Sequence, residues 1–120
     1  MSAITLGTIE RKFAELIWAK EPVTTSELVK LAEKEFSWKR TTTHTVIKRL
    51  CDKGLFENNR GTVKALISEK EFLSLESRAF VQESFSGSLP AFIAAFASGS
   101  VLSEDDIKAI RKMIEEAEEK

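Results

Sequence analysis

The chain has very little cysteine, because Cys51 is the only one among its 120 residues. A single thiol cannot form a disulfide within the chain, and a metal cluster held by several cysteines is excluded. His44 is the only histidine, and no carboxylates are spaced to complete a metal site or a catalytic triad with it. We therefore expect no metal, no cofactor and no enzymatic activity.

Long apolar runs are also missing from the sequence. The longest, residues 89–97, contains Pro90 and falls short of the roughly 18 residues that a membrane helix needs. The N-terminus lacks the cationic and apolar blocks of a signal peptide. We therefore expect a cytoplasmic protein without membrane insertion, and a hydrophobic content of 42% excludes a disordered chain.

The net charge of −1 hides an asymmetry between the two parts of the chain. Residues 1–70 carry 13 Lys and Arg against 9 Asp and Glu, whereas residues 71–120 carry 5 against 10. A basic N-terminal part joined to an acidic C-terminal part is typical of a nucleic-acid-binding module with a second module of another role.

Apolar periodicity predicts three helices in the N-terminal part. The first covers residues 8–20 and is ended by Pro22; its predicted buried stripe comprises Ile9, Phe13, Leu16 and Ile17. Thr24 and Glu27 form a capping box for a second helix that ends near Lys34. The third covers about residues 40–53, and Gly54 ends it as a left-handed C-cap.

The third helix has two different faces. At 100° per residue, the side that needs a core contains Thr43, Val46, Ile47 and Leu50. The opposite side and its flanks are polar or cationic and contain Thr41, Thr42, His44, Thr45, Lys48, Arg49 and Asp52. Such a helix is suited to reading the edges of DNA bases.

Two short strands follow, at residues 55–58 and 62–67, around a turn of Asn59, Arg60 and Gly61. A helix followed by a hairpin with such a tip is the wing of a winged helix-turn-helix. We therefore predict a winged-helix DNA-binding domain over residues 1–68.

The composition changes after Ser68, which forms a second capping box with Glu71. It opens a long helix ended by Gly87, and a short helix follows at residues 89–97, with 98–100 as a loop. Ser103 caps the last helix. We therefore predict a three-helix domain over residues 69–120.

These C-terminal helices carry more apolar surface than about 50 residues can bury on themselves. The most economical solution is a second copy of the chain, so we predict a homodimer; in the alternative, the helices fold back onto the N-terminal domain. The dimerisation candidates are Phe72, Leu75, Phe80, Phe85, Phe92, Phe96, Ile107, Ile110 and Ile114.

In a helix-turn-helix, the N-terminal turns of the recognition helix contact base edges. The base-reading candidates are Arg40, Thr41, Thr42, His44 and Thr45. The candidates for phosphate contacts, which position the protein without reading sequence, are Lys39, Lys48, Arg49, Arg60 and Lys64. Three alternatives remain open: Arg40 binding only a phosphate rather than guanine, Thr42 bonding back to a helix carbonyl, and Lys48 and Arg49 forming a solvated face paired with Asp52.

The remaining distinctive side chains favour structural roles. We expect Trp18 and Trp38 to be core residues rather than stacking platforms. As a groove residue, His44 would add a proton-dependent contact. Cys51 is expected to be a small packed residue, with a redox switch as the alternative.

Several short patterns run through almost the whole chain in a fixed order. They comprise Leu6, Glu10, Ile17 and Trp18; Trp38; Thr42-x-x-Thr45-x-x-x-Arg49-Leu50; Lys53-Gly54; Ser68-Glu69-x-Glu71-Phe72; Glu76-x-Arg78-x-Phe80; Gly87-Ser88-Leu89; and Leu102-Ser103-x-x-Asp106-Ile107. In this order and spacing they resemble the penicillinase-repressor family, which includes the β-lactamase, methicillin-resistance and copper-responsive repressors.

The resemblance implies a dimeric repressor that binds a dyad operator in double-stranded DNA, often controlling antibiotic-resistance genes. It also implies a membrane sensor protease as a partner, with induction by cleavage between Asn and Phe in the C-terminal module. The matching bond here joins Ala95 to Phe96, so the Asn is missing. The paired Cys-x-Cys motifs of the copper branch are absent, and the wing lacks the family's aromatic residues after its glycine.

We therefore expect a mainly α fold with a small β-hairpin wing: a winged helix-turn-helix followed by a three-helix dimerisation module. The expected function is sequence-specific transcriptional repression of a resistance or stress-response operon. The alternative is a winged-helix protein-interaction module without sequence-specific DNA binding.

Overall fold

A computed structural model describes residues 5–118 of the chain. The helices are α1 (Thr8–Lys20), α2 (Thr25–Phe36), α3 (Arg40–Asp52), α4 (Glu69–Phe85), α5 (Leu89–Gly99) and α6 (Glu104–Glu118). The strands are β1 (Val23–Thr24), β2 (Phe56–Asn59) and β3 (Thr62–Ala65). The predicted winged helix-turn-helix with a helical C-terminal part is confirmed.

The helix caps that the sequence predicts at Thr24, Gly54 and Ser68 form in the structure. Thr24 Oγ1 accepts a hydrogen bond from the Glu27 amide at 3.1 Å, which caps α2. Gly54 has φ +84°, a left-handed conformation that glycine adopts without steric cost, and it lies just beyond the end of α3. The second capping box also forms, since Ser68 Oγ accepts from the Glu71 amide at 3.0 Å.

The sheet has three strands rather than the predicted two. The antiparallel order is β1-β3-β2, with Val23 opposite Val63 and Asn59 opposite Thr62. Strand β1 was missed because it is only two residues long and directly precedes a strong helix cap. The turn is also tighter than predicted: Asn59 belongs to β2, and the two-residue turn has positive φ at Arg60 (55°) and Gly61 (92°). Two positive φ values are the requirement of a type I′ hairpin turn.

One apolar core lies under the three N-terminal helices and the sheet. Its buried hydrophobic residues are Phe13, Ala14, Ile17, Val23, Leu28, Ala32, Val46, Ile47, Leu50, Leu55, Phe56, Val63 and Phe72. Trp18 and Trp38 are half-buried against this core, and the Trp18 Nε1–H donates to the carbonyl of Ile67 at 3.0 Å. The predicted structural role of both tryptophans is confirmed. The prediction for Ile9 is wrong: it is 46% exposed, since the buried part of α1 begins one turn later, at Phe13.

The start of α4 belongs to this core. Phe72 is 1% exposed, its ring lies 5.5 Å from that of Trp18, and the guanidinium of Arg11 lies 5.7 Å above it. Arg11 Nη1 also donates to both carboxylate oxygens of Glu76, at 2.9 and 3.1 Å. Phe72 is therefore withdrawn from the dimerisation candidates, because it has no surface left for a partner.

The chain forms two compact units, which divide within α4 between Ala79 and Phe80. This division lies later in the chain than the predicted boundary at Ser68. The sequence pattern places a capping box at Ser68, but it does not show that the helix beginning there packs its first turns onto α1.

The second unit contains the end of α4 with α5 and α6. The rings of Phe80, Phe85 and Phe92 pack edge to face, with centroids 5.5 to 6.1 Å apart. Ser88 caps α5 and Ser103 caps α6 through their hydroxyls. The predicted loop at 98–100 is shorter than expected, because α5 continues through Gly99. No residue of α5 or α6 is buried within the chain.

Within the described part of the chain, no helix combines the length and the apolar character needed to cross a membrane.

We predict that replacing Phe72 by alanine lowers the free energy of unfolding of the first unit by about 3–5 kcal/mol, the usual cost of removing a buried phenylalanine. The matched control is Leu73→Ala on the same helix. Leu73 is 43% exposed, so we expect a loss of less than about 1 kcal/mol. Urea unfolding followed by tryptophan fluorescence measures both; equal losses would contradict the placement of Phe72 in the core.

Candidate nucleic-acid interface

The two predicted faces of α3 are confirmed. Thr43, Val46, Ile47 and Leu50 are buried, and the Thr43 hydroxyl is satisfied by the Lys39 carbonyl at 3.4 Å. The exposed residues of the same helix are Arg40, Thr41, Thr42, His44, Thr45, Lys48, Arg49 and Asp52. The structure thus brings all the base-reading candidates together on one solvent-facing surface.

Packing, rather than intrinsic preference, keeps this segment helical. Six of its residues are β-branched (Thr41, Thr42, Thr43, Thr45, Val46 and Ile47), and each costs up to about 0.7 kcal/mol relative to alanine in a helix. Full burial of a Val, Ile or Leu side chain contributes about 1.5–3 kcal/mol. Three such residues on one face outweigh the unfavourable propensity, and threonines remain on the other face for contacts with a partner.

A tight turn between α2 and α3 sets the direction of α3. Ser37 ends α2 with φ 58°, and its amide donates to the carbonyl of Glu33 at 3.0 Å. The next residue, Trp38, anchors the turn, since its ring lies 5.2 Å from Phe13 and 4.9 Å from Phe36. Helix α3 therefore starts from a fixed point on the core.

The N-terminus of α3 has no side-chain cap. Its N-cap residue is Lys39, whose side chain has no acceptor for the first helix amides, and the first turn contains no acidic residue. The first amides of the helix are left to solvent, and they combine with the positive end of the helix dipole and two cationic side chains, Lys39 and Arg40. This arrangement favours phosphate groups. The signal in the sequence was the absence of Ser, Thr, Asp or Asn at the N-cap, which the sequence analysis did not use.

The threonine hydroxyls are partly committed within the helix. Thr45 Oγ1 donates to the Thr41 carbonyl at 2.9 Å, so its oxygen remains available only as an acceptor and its methyl group for apolar contact. The back-bonding that was considered for Thr42 is therefore found at Thr45 and Thr43 instead.

Three of the five phosphate candidates already contact carboxylates. Lys48 Nζ lies 3.4 Å from Asp52, Lys64 Nζ lies 3.2 Å from Glu57, and Arg49 Nη1 lies 3.4 Å from Glu10. Lys39 and Arg60 form no salt bridge with the residues that the structure describes. The pairing of Lys48 with Asp52 is the arrangement that the sequence left open as an alternative.

The wing presents Arg60 at its tip. The Asn58 side-chain oxygen accepts a hydrogen bond from the Gly61 amide at 2.9 Å, which closes the turn. The Gly61 carbonyl in turn accepts from the Thr25 amide at 2.9 Å, and this bond ties the wing to the first residue of α2. Arg60 is exposed, so its guanidinium extends from a hairpin that is fixed to the helical core.

The sequence does not indicate the contacts that Glu10 makes with the end of α3. Glu10 joins α1 to the end of α3, because Arg49 and Lys53 both contact its carboxylate, at 3.4 and 3.1 Å. The hydrogen bond from the Gly7 amide, followed by these two cations, lowers the pKa of Glu10 in spite of its partial burial. This contribution to stability is present above the ordinary pKa of a glutamate and is lost as the pH falls through the lowered pKa.

The remaining candidates are Cys51, His44 and the pair Ala95 and Phe96. Burial raises the pKa of the Cys51 thiol, which disfavours the reactive thiolate. His44 is exposed on α3. Among residues 5–118, no group of three His, Cys, Asp or Glu side chains is placed to hold a metal ion. Ala95 and Phe96, the predicted cleavage pair, lie exposed inside α5.

Comparison with known proteins assigns the chain to a family. Residues 6–116 match the family model described as penicillinase repressor. The chain is similar to the penicillinase repressor of Bacillus licheniformis, with 24% identity over 115 residues, 92% of this chain and 90% of the relative. It is also similar to the methicillin resistance regulatory protein MecI of Staphylococcus aureus, with 21% identity over 113 residues, 91% of this chain and 92% of the relative. The chain therefore belongs to the penicillinase repressor family.

Proposed function

We propose that the protein is a homodimeric repressor that binds a dyad operator through two winged-helix units. The general part of this statement follows from the family, whose members are transcriptional repressors that bind DNA and are not enzymes. The dimer, the dyad operator and the roles of individual residues are our proposal.

The observation that carries the proposal is the surface of α3. A helix with one face fixed in the core presents an uncapped N-terminus, two cations and a set of hydroxyl and imidazole groups to solvent. The major groove of DNA admits one α-helix, and phosphate oxygens lie along its edges. An apolar partner surface would leave the hydroxyl side chains and the free amides without partners.

In the proposed complex, the first two turns of α3 read base edges. Arg40 binds guanine through its guanidinium, and the methyl groups of Thr42 and Thr45 contact thymine methyls. Thr41 and His44 extend the same surface with a hydroxyl and an imidazole group.

Phosphate contacts come first from the cations without a carboxylate partner in the described structure. Lys39 lies at the free N-terminus of α3, and Arg60 lies at the tip of the wing. Lys48, Arg49 and Lys64 contribute less, because each must first leave the carboxylate that it contacts. The exposed pairs of Lys48 and Lys64 are worth about 0–1 kcal/mol, so a DNA phosphate competes with them. The Glu10 partner of Arg49 is only 16% exposed, so that pair is screened less.

The proposal of a homodimer is supported by the second unit. Its helices α5 and α6 bury no residue within the chain, and large apolar side chains such as Phe96 and Ile114 are 58% and 56% exposed. A symmetric second copy covers such a surface with an equivalent one. The proposed dimer surface of this unit comprises Phe80, Phe85, Phe92, Phe96, Ile107, Ile110 and Ile114.

The names of the two relatives, a penicillinase repressor and a methicillin resistance regulatory protein, favour a resistance operon as the target. If a sensor protease induces this protein, cleavage between Ala95 and Phe96 requires local unfolding, because the bond lies inside α5. Repression itself takes place where the operator is, in the cytoplasm.

We predict that Arg40→Ala lowers the affinity for the operator by about 1–3 kcal/mol, the usual discrimination carried by one bidentate base contact. The affinity for random duplex changes much less. Titration of both duplexes at several salt concentrations, followed by fluorescence anisotropy, measures this difference.

The matched comparison removes an arginine at the other end of the interface. Arg60→Asn keeps a residue that accepts the left-handed turn conformation and removes one phosphate contact. It should weaken both duplexes equally and reduce the salt slope by about 0.9 for each protomer, or about 1.8 for the dimer. Equal losses on both duplexes for Arg40→Ala would refute its base-reading role, and affinities that barely change with salt would favour a protein-interaction module.

We predict that Ile114→Glu shifts the protein from dimer to monomer, raising the dimer dissociation constant by at least roughly tenfold, because it places a charge in an apolar interface. Lys112→Glu introduces the same residue at a position that is exposed beside Glu116 and should leave the dimer intact. Sedimentation velocity over a concentration series measures both. A monomeric wild-type protein, or equal effects of the two substitutions, contradicts the proposed dimer surface.

A further inference from the structure

The carboxylate of Glu10 accepts three hydrogen bonds, one from the residue that precedes α1 and two from the end of α3. Its Oε1 accepts from the Gly7 amide at 3.0 Å and from Lys53 Nζ at 3.1 Å. Its Oε2 accepts from Arg49 Nη1 at 3.4 Å. Lys53 Nζ also donates to the carbonyl of Thr5 at 2.7 Å. The Glu10 side chain is only 16% exposed, so solvent screens these contacts less than it screens those of the surface pairs.

The two cations held by Glu10 continue the DNA-facing side of α3. Arg49 lies four residues after Thr45 and seven after Thr42, which places all three on one face of the helix. Lys53 follows Arg49 by another four residues, at the C-cap. A duplex that meets the threonines with its base edges therefore brings a phosphate strand toward these two cations.

Glu10 changes what these cations do. Arg49 and Lys53 together carry two positive charges, and the adjacent carboxylate cancels one of them and repels phosphate. The lowered pKa of Glu10 keeps this carboxylate charged at neutral pH, so its effect is constant and does not depend on pH near neutrality.

The consequence is the same in kind for operator and random duplex, because both present the same phosphate backbone. Phosphate contacts carry almost all of the binding to random duplex and a large share of the binding to an operator, so withholding two cations weakens both. Base contacts at the other end of α3, which Glu10 does not touch, keep their contribution. A carboxylate at this position therefore lowers the affinity for DNA of any sequence.

We propose that Glu10 limits the strength of DNA binding: it holds Arg49 and Lys53 back from the phosphate backbone and so lowers the affinity for DNA of any sequence. The inference rests on the proposed DNA-binding surface and extends it to a residue of α1 that contacts no base. Glu10 is thus a positioning residue that acts through the side chains of α3.

The test is Glu10→Gln in the full-length chain, with affinities for operator and random duplex measured over a range of salt concentrations. The salt slope on both duplexes should steepen by about 0.9 for each cation that gains a phosphate, and both affinities should rise while their ratio changes little. An unchanged slope would overturn the proposal. Thermal unfolding of the variant shows that the comparison is made between folded proteins.

Glu15→Gln is the matched control. It removes the same charge from the same helix, but Glu15 contacts Arg11, at 3.9 Å, rather than a cation of α3. It should leave the salt slope and both affinities near the wild-type values; an effect equal to that of Glu10→Gln would assign the change to net charge and contradict the proposal. The double variant Glu10→Gln with Arg49→Gln should return the slope toward the wild-type value.

Measurements on the wild-type protein distinguish a failure of the proposed function from a failure of the proposed role of Glu10. If it does not prefer the operator to random duplex, the proposed function fails. If it does, and Glu10→Gln behaves as the wild type, only the role of Glu10 fails.

Discussion

The burial of one face of α3 is the constraint on which the interface depends. Val46, Ile47 and Leu50 lie in the core and hold a threonine-rich segment in a helix that its own preferences disfavour. Because the buried face is fixed, the rotation of the helix is fixed too, and Thr42 and Thr45 must face solvent. Trp38 sets the starting point through its contacts with Phe13 and Phe36. A base-reading surface needs this rigidity, since hydrogen bonds to base edges tolerate little displacement.

Electrostatics divides the same surface into a free part and a restrained part. The N-terminus of α3 offers uncapped amides with Lys39 and Arg40, whereas its C-terminal end places Arg49 and Lys53 against Glu10. In the proposed complex, positive charge is thus available at the N-terminus of α3 and partly neutralised at its C-terminal end. Without Glu10, we expect the surface to bind DNA of any sequence more tightly.

Local signals were predictable from the sequence, and long-range ones were not. The caps at Thr24, Ser68 and Ser103 and the left-handed Gly54 follow from interactions within a few residues, so the helices were predicted closely. The two faces of α3 follow from periodicity alone. Strand β1, the burial of Phe72 and the contacts of Glu10 depend on residues more than 35 positions away. No pattern within a helix or a strand reveals such partners.

In the proposed complex, two copies of α3 read one symmetric DNA site. Selection of bound sequences from random duplex DNA by the full-length protein tests this arrangement. We expect an enriched inverted repeat whose half-sites lie about one helical turn apart, or a multiple of that distance, as for a dimer of helix-turn-helix units. Enrichment of a single unpaired half-site, or no enrichment above the random pool, would contradict it.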